Sequence, residues 1–321
     1  VILMDVTEGN PNGDPMRNNT PRTDPYDGHG LITDVCIKRK VRDYMTDEGQ
    51  EMLITREPVS INDLLCQVAK TCDPPETKGK KDGGKKGKLG QAQGEVRAVA
   101  VCKRFIDARL FGAMAETGDC PAGRIRGPLQ LSMGRSLHPV RISKHQVVRV
   151  AVTDDKELEK PGTMSDEHGR QIIRYAAYRM VGTYSPRMGA KTGIVADDLE
   201  KFFTALQRCW ARDRASARGV MGCRGIWIAI HETEDGLCHA SDTHAAVRVT
   251  MPATATSWDE ASVTLTKGQR GVTWHYFGWD GLELATLHHE RFPKAPVAAG
   301  SAAATGVAPA GWGNPPQPEG W

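Results

Sequence analysis

Residues 8–30 exclude more folds than any other stretch of this 321-residue chain. Pro, Gly and Asn recur along it, beginning with GNPNGDP at 9–15. Proline has no amide hydrogen to give to a helix or a ladder, and Asn, Asp and Gly favour turns. Neither a helix nor a central strand fits there. The apolar run before it, residues 1–7, reads as a strand. After it, Thr33 reads as the N-cap of a helix over about 34–45, with Asp34 in the first turn. Ile37, Val41, Tyr44 and Met45 share one face of that helix. The chain must therefore leave its first strand through a long, stiff turn before it can cross back.

The length allows one large domain or two of ordinary size. With 39% hydrophobic and 25% charged residues the composition is ordinary. A formal net charge of +3 excludes little, because basic residues cluster at 38–42 and 78–88. Eight cysteines contain no CxxC pair, which argues against a zinc ribbon, and a chain this long needs no disulfide. They are expected as free thiols in a reducing compartment. No apolar run is long enough for a bilayer and no signal peptide stands out, so the expected location is cytoplasmic with no membrane partner.

A second helix is expected from Ser60 through INDLLCQVAK. The Gly- and Lys-rich stretch 73–94 offers nothing to bury and reads as a mobile basic loop. EVRAVAVCKRFIDARLFGAM reads as helical, while GPLQLSM and HQVVRVAV alternate like strands. Residues 154–171 form a polar connection containing Met164. IIRYAAYRMVGTY fits strand or helix. ADDLEKFFTALQRCW is the clearest helix, burying Leu199, Phe202, Phe203, Leu206 and Trp210, with Asp197 and Asp198 at the positive end of its dipole. GIWIAIHE reads as a buried strand. HAAVRVTM, ASVTLT, VTWHYFGW and LELATLHH follow as further strands. From 293 the chain reads as a disordered Ala/Pro/Gly tail. The order fits an α+β fold, a split βαβ (ferredoxin-like) core with two insertions.

The strongest local chemical feature is TDVCIKRKVR. With Ile37 at zero and about 100° per residue, Lys38 falls at about 100°, Arg42 at about 140° and Arg39 at about 200°. These three make one cationic arc, and Lys40 falls away from it. Such an arc suits phosphate oxygens, which Arg and Lys contact without reading sequence, although a solvated helix face explains it as well. Arg212, Arg214 and Arg218 follow the long helix, and Arg187 and Lys191 lie in the Gly-punctuated SPRMGAKTG. No Walker motif, HExxH or nucleophile elbow is present. Asp5, Asp14, Asp24 and Asp27 are in principle able to hold a metal, but Asp14 in Asn-Gly-Asp-Pro has a simpler role in closing an Asx turn. No catalytic residue, metal or cofactor is expected. The balance favours nucleic-acid binding or assembly over catalysis.

Six motifs in order carry a resemblance: DVTEGNPNGDP, GHGLITDVCIKRKVR, FIDARLFGAM, GPLQLSMGRS, YSPRMGAKTG and DRASARGVMGCRG. Over roughly residues 1–250 the chain resembles the Cas-seven family, specifically the type I-C backbone subunit of the CRISPR Cascade complex. The resemblance implies a modified RNA-recognition-motif palm with a helical insertion and a protruding thumb hairpin. It implies copies aligned head-to-tail on CRISPR RNA, presenting it to target DNA beside other Cascade subunits, with cleavage left to a recruited nuclease-helicase. The implied division is 1–46 for the first part of the palm, 47–127 for the insertion, 128–140 for a palm strand, 141–174 for the thumb, 175–292 for the rest of the palm and extra strands, and 293–321 for the tail. The implied RNA contacts are Asn10, Asn12, Lys38, Arg39, Arg42, Arg135, Arg187, Lys191, Arg214 and Arg218, with Met164 as a base-displacing wedge. No RNP-like aromatic pair is evident, so the expected grip is on the backbone. The alternative is a metal-dependent ribonuclease related to type III backbone subunits, with Asp14 as its acid.

Overall fold

The computed structural model describes residues 1–72, 91–116, 118–146, 148–149, 164–165, 169–266 and 271–277. Seven strands form its main sheet: β1 (Ile2–Gly9), β2 (His29–Ile32), β3 (Gly134–Pro139), β4 (Ile142–His145), β5 (Arg170–Met180), β6 (Val220–His231) and β7 (Val272–Phe277). The spatial order is β7-β6-β1-β5-β3-β2, and β4 also pairs with β5. Every pairing in it is antiparallel. β3 and β4 follow one another along the same edge of β5, which meets Arg135 and Ser136 near one end and residues 142–145 at the other.

Helices α1 (Asp34–Asp47) and α6 (Ala196–Arg212) pack together over one face of this sheet. Strand alternation explains which residues meet them. Ile2, Met4 and Val6 point to the helices and pair with Met180, Tyr178 and Ala176. Ile37, Val41, Tyr44 and Met45 answer from α1, and Phe202, Leu206 and Trp210 from α6. The expected apolar stripes of both helices are thus the buried ones, each large side chain contributing about 1.5–3 kcal/mol by leaving water. Thr33 caps α1 by accepting from Cys36 N, and the helix runs two residues past the expected end. On the opposite face Asp5 is buried 2.8 Å from Arg224, and burial pushes its carboxyl pKa up.

The insertion holds α2 (Ile61–Cys72), α3 (Gln91–Arg104) and α4 (Ile106–Phe111) around a second core that includes Leu53, Leu65, Val68, Val101 and Phe105. FIDARLFGAM is not one helix. A break at Phe105 separates α3 from α4, and a ribbon of Gly112–Ala115 paired with Gly123–Arg126 follows. The reason is local: Gly112 takes φ +78°, and a Cβ there would sit 2.4 Å from Gly127 N. The motif then clamps the insertion to the core. Asp107 accepts from Arg42 Nε at 2.8 Å and from Leu53 N at 2.8 Å. Arg109 grips Asp198 of α6 with both Nε and Nη2, and Phe111 meets Phe202 edge-on at 5.9 Å.

Four further readings are changed or settled. GPLQLSM does not join the main sheet as a whole: Leu129–Leu131 pairs with Gly182–Tyr184 in a separate ribbon. IIRYAAYRM resolves to strand, within β5. HAAVRVTM is split between α7 (Ala240–Ala246), after α5 (Pro186–Thr192), and a short strand Val247–Thr250. The cysteines are not all free, because α2 packs on the turn beyond the ribbon and joins Cys66 to Cys120. Their Cα atoms lie 5.0 Å apart, a spacing that a bridge requires. The basic stretch 73–90, LELATLHH and the tail lie outside the described residues. Among the described residues no helix is long and apolar enough to cross a membrane.

Two outcomes test this packing. Asp107→Ala leaves a buried guanidinium and a buried amide without their acceptor, so urea unfolding is expected to show a loss of about 3–5 kcal/mol; a loss below about 1 kcal/mol would remove Asp107 from this role. Under denaturing, non-reducing conditions a thiol reagent is expected to titrate the six cysteines Cys36, Cys72, Cys102, Cys209, Cys223 and Cys238, and all eight after reduction.

Candidate nucleic-acid interface

β1 ends at Gly9 because the chain must pass under residues 217–219. A Cβ on Gly9 would meet Arg218 O at 1.8 Å. The turn beyond is stitched from inside. Asn10 N donates to Ala217 O at 2.8 Å and Asn10 Nδ2 to Asn19 O at 2.6 Å. Asn12 Oδ1 accepts from both Thr33 N and Thr33 Oγ1, tying the turn to the start of α1. Asn18 and Asn19 take φ of 50° and 56°, the left-handed region that Asn tolerates. Asp14 Oδ1 accepts from Met16 N, the Asx turn read from the sequence. The GNPNGDP turn is therefore a braced ledge that spends its carboxamides inward. Its outer tips are Met16, 92% exposed, and Tyr26, 95% exposed.

Most of the expected cationic contacts have an acidic partner within the chain. Lys38 bonds Asp34 at 3.0 Å and lies 5.5 Å from the Phe111 ring centroid. Arg39 pairs with Asp43 at 2.8 Å. Arg42, at the centre of the expected arc, is buried against Asp107. Lys40, set aside by the wheel, is buried on the other flank of α1 beside Asp213 and over the Trp210 ring. Burial pulls its ammonium down to about 8. Arg135 bridges Asp24 and Asp27, and its guanidinium holds the Asp24 carboxyl below the usual carboxylate range. Arg187, on α5, reaches Glu234 and Asp235. Arg218 contacts Asp213 at 3.3 Å and Pro11 O at 3.4 Å. Arg214 is exposed and bonds Ala211 O, and Lys191 is exposed on α5. Met164 pairs with Arg149 in a short ladder.

That ladder, Val148–Arg149 with Met164–Ser165, lies beyond the β4–β5 pairing on the same hairpin. The stem of this hairpin carries the cations that sequence reasoning missed. Arg141, Lys144, His145, Arg170 and Arg174 are all exposed there. None of them has a carboxylate partner among the described residues. A signal was present: residues 136–147 contain no Asp or Glu, whereas Lys38 has Asp34 four residues before it and Arg39 has Asp43 four after it. Acids at that helical spacing consume charge before any ligand arrives. Among the described residues the stem therefore offers exposed cations without a carboxylate partner, with His145, Arg170 and Arg174 on one face by strand alternation and Lys144 on the other, able to meet phosphate oxygens at little cost in broken ion pairs.

Comparison with known proteins places the chain in a family. The family model for CRISPR-associated protein Cas7 matches residues 1–266. A CRISPR-associated protein Cas7 from Haloferax volcanii is 25% identical over 259 residues, covering 74% of this chain and 71% of the relative. A solved chain described as a CRISPR RNA-guided surveillance complex, pre-nicking, aligns with TM-score 0.43 and 14% identity over 74% of this chain and 83% of its own. Another, a CRISPR RNA-guided surveillance complex, gives 0.36 and 13% over 91% and 85%. The family match spans most of the sequence: the chain belongs to the Cas7 family of CRISPR-associated proteins.

Proposed function

We propose that this chain is the CRISPR-RNA-binding backbone subunit of a type I-C surveillance complex in the cytoplasm. Copies align head-to-tail on the guide and present its bases to target DNA, beside other subunits and a recruited nuclease-helicase. The observation that carries the reading is the set of exposed cations on the β4–β5 stem, without a carboxylate partner among the described residues, in a chain of the Cas7 family. The core order supports it: β1, α1, β3, β5, α6 and β6 follow a β-α-β-β-α-β path with the fourth strand beside the first and the third between first and second. That order fits a ferredoxin-like core and supports reading it as a palm of the RNA-recognition-motif kind. In this reading α2 to α4 are the helical insertion, and the β4–β5 hairpin is the thumb, with Met164 as its wedge. The braced 9–19 ledge and exposed Lys191 and Arg214 border the RNA path, while Arg42 acts from inside by holding α1.

The protein holds RNA rather than cutting it. Asp14 already caps Met16 N and lies 3.7 Å from Arg22.

Two experiments decide. Replacing Arg141, Lys144, Arg170 and Arg174 by Gln in the full chain is expected to weaken binding to every RNA sequence alike. It should also lower the slope of log affinity against log salt by about 0.7 per contact, about 2.8 for four. An unchanged slope in the folded variant would remove the stem from the interface. Labelled RNA incubated with wild type and with Asp14→Ala, with and without magnesium or manganese, is expected to stay intact in all arms. Metal-dependent cleavage by wild type that the variant loses would establish the ribonuclease instead.

A further inference from the structure

The ribbon Gly112–Ala115/Gly123–Arg126 has no part in the grip described above, yet it is built to hold a face still. At its base Gly112 and Gly127 cross backbone to backbone, and a Cβ on Gly127 would sit 2.1 Å from Phe111 C. At its far end Asn62 Oδ1 accepts from Asp119 N at 2.9 Å, and Cys120 is joined to Cys66. Ile125 and Ala115 point inward to the second core. Alternation therefore turns Met114, Arg124 and Arg126 outward, with Met114 directly across from Arg124. All three are exposed, Met114 at 72%. Neither arginine has a carboxylate partner among the described residues, in contrast to Arg39, Arg42, Arg135 and Arg187. Helix α5, which carries exposed Lys191, packs against the Gly123–Arg126 strand.

We propose that this outer face is a second nucleic-acid contact, a short rail for the phosphodiester backbone of an extended single strand. Two residues apart on one strand, Arg124 and Arg126 stand about 7 Å from each other, a spacing that suits successive phosphates of an extended chain. Guanidinium groups without a carboxylate partner among the described residues favour a polyanion, since no described ion pair must break first. Met114, apolar and flexible, supplies a surface for the sugar or base between them. The face is too small and too cationic for a protein core contact. Two strands share this chemistry, a flank of the guide RNA and an unpaired strand of DNA. The proposal rests on the nucleic-acid reading above, and extends it to a place that reading does not use.

The test uses the full-length chain with Arg124→Gln and Arg126→Gln together, its fold checked by circular dichroism and thermal unfolding. Single-stranded RNA is bound to the chain alone, and single-stranded DNA of unrelated sequence to the guide-loaded chain, each over a range of salt. The expected result is a fall of about 1.4 in the salt slope, two contacts at about 0.7 each, in one arm; the affected arm identifies the strand. Unchanged slopes in both arms overturn the proposal, even if affinity drops. A variant that does not fold is replaced by a measurement on wild type: protection of Arg124 and Arg126 from an arginine-specific dicarbonyl reagent by the bound strand, read by mass spectrometry. Absence of protection overturns it equally. A wild type that binds no nucleic acid in either arm sinks the preceding reading as well, whereas one that binds RNA with ribbon-independent slopes sinks the rail alone.

Discussion

The carboxylate of Asp107 sits where three segments meet, accepting from Arg42 on α1 and from the amides of Leu53 and Ile54 in the chain entering the insertion. Both Asp107 and Arg42 are shielded from water. An ion pair so placed adds little net stability over a well-packed apolar pair, but breaking it on one side is costly. Its contribution is geometric: it fixes the insertion against α1 in one register. Arg109 repeats the device toward α6 by holding Asp198, whose Oδ2 also accepts from Val195 N at the start of that helix. Because α1 and α6 together cover the sheet, the orientation of the insertion, and of the ribbon it carries, follows from these two carboxylates.

On its other flank α1 uses Lys40 in the same way. Lys40 and Arg218 both approach Asp213, just past the end of α6, and Arg218 reaches on to Pro11. The ledge after β1 is thus positioned against α1, which meets it directly where Asn12 bonds Thr33 and where Cys36 Sγ reaches Pro11 O. One helix carries two buried cations on opposite sides, each aligning a different part of the candidate interface.

Much of this was legible in the sequence where a single element decides the outcome. The stiff turn after β1, the Thr33 cap and the stripe Phe202, Leu206, Trp210 depend on local chemistry, and the structure places them as read. Outcomes that depend on what packs against an element were not legible. The wheel placed Arg42 on an outer arc and Lys40 away from it, but it carries no information about α4 or about residue 213, which turn both flanks of α1 inward. FIDARLFGAM looked helical because its apolar residues allow it; the break at Phe105 and the turn at Gly112 answer to partners at 51 and 127. The stem cations were overlooked because an exposed strand end has no periodic signature, although the acid-free run 136–147 was there to see.

The position of β1 between β5 and β6 also governs when this protein becomes complete during its synthesis. Its partners, Arg170–Met180 and Val220–His231, are made long after it. At about 5–20 residues per second, the ribosome leaves this apolar strand without a neighbour for roughly ten seconds or more. During that interval both of its edges and the run Ile2, Leu3, Met4 stand open to other chains. The prolines and turn-forming asparagines that follow immediately then act as gatekeepers: they keep the sticky segment short, so a nascent chain has little length along which to pair wrongly.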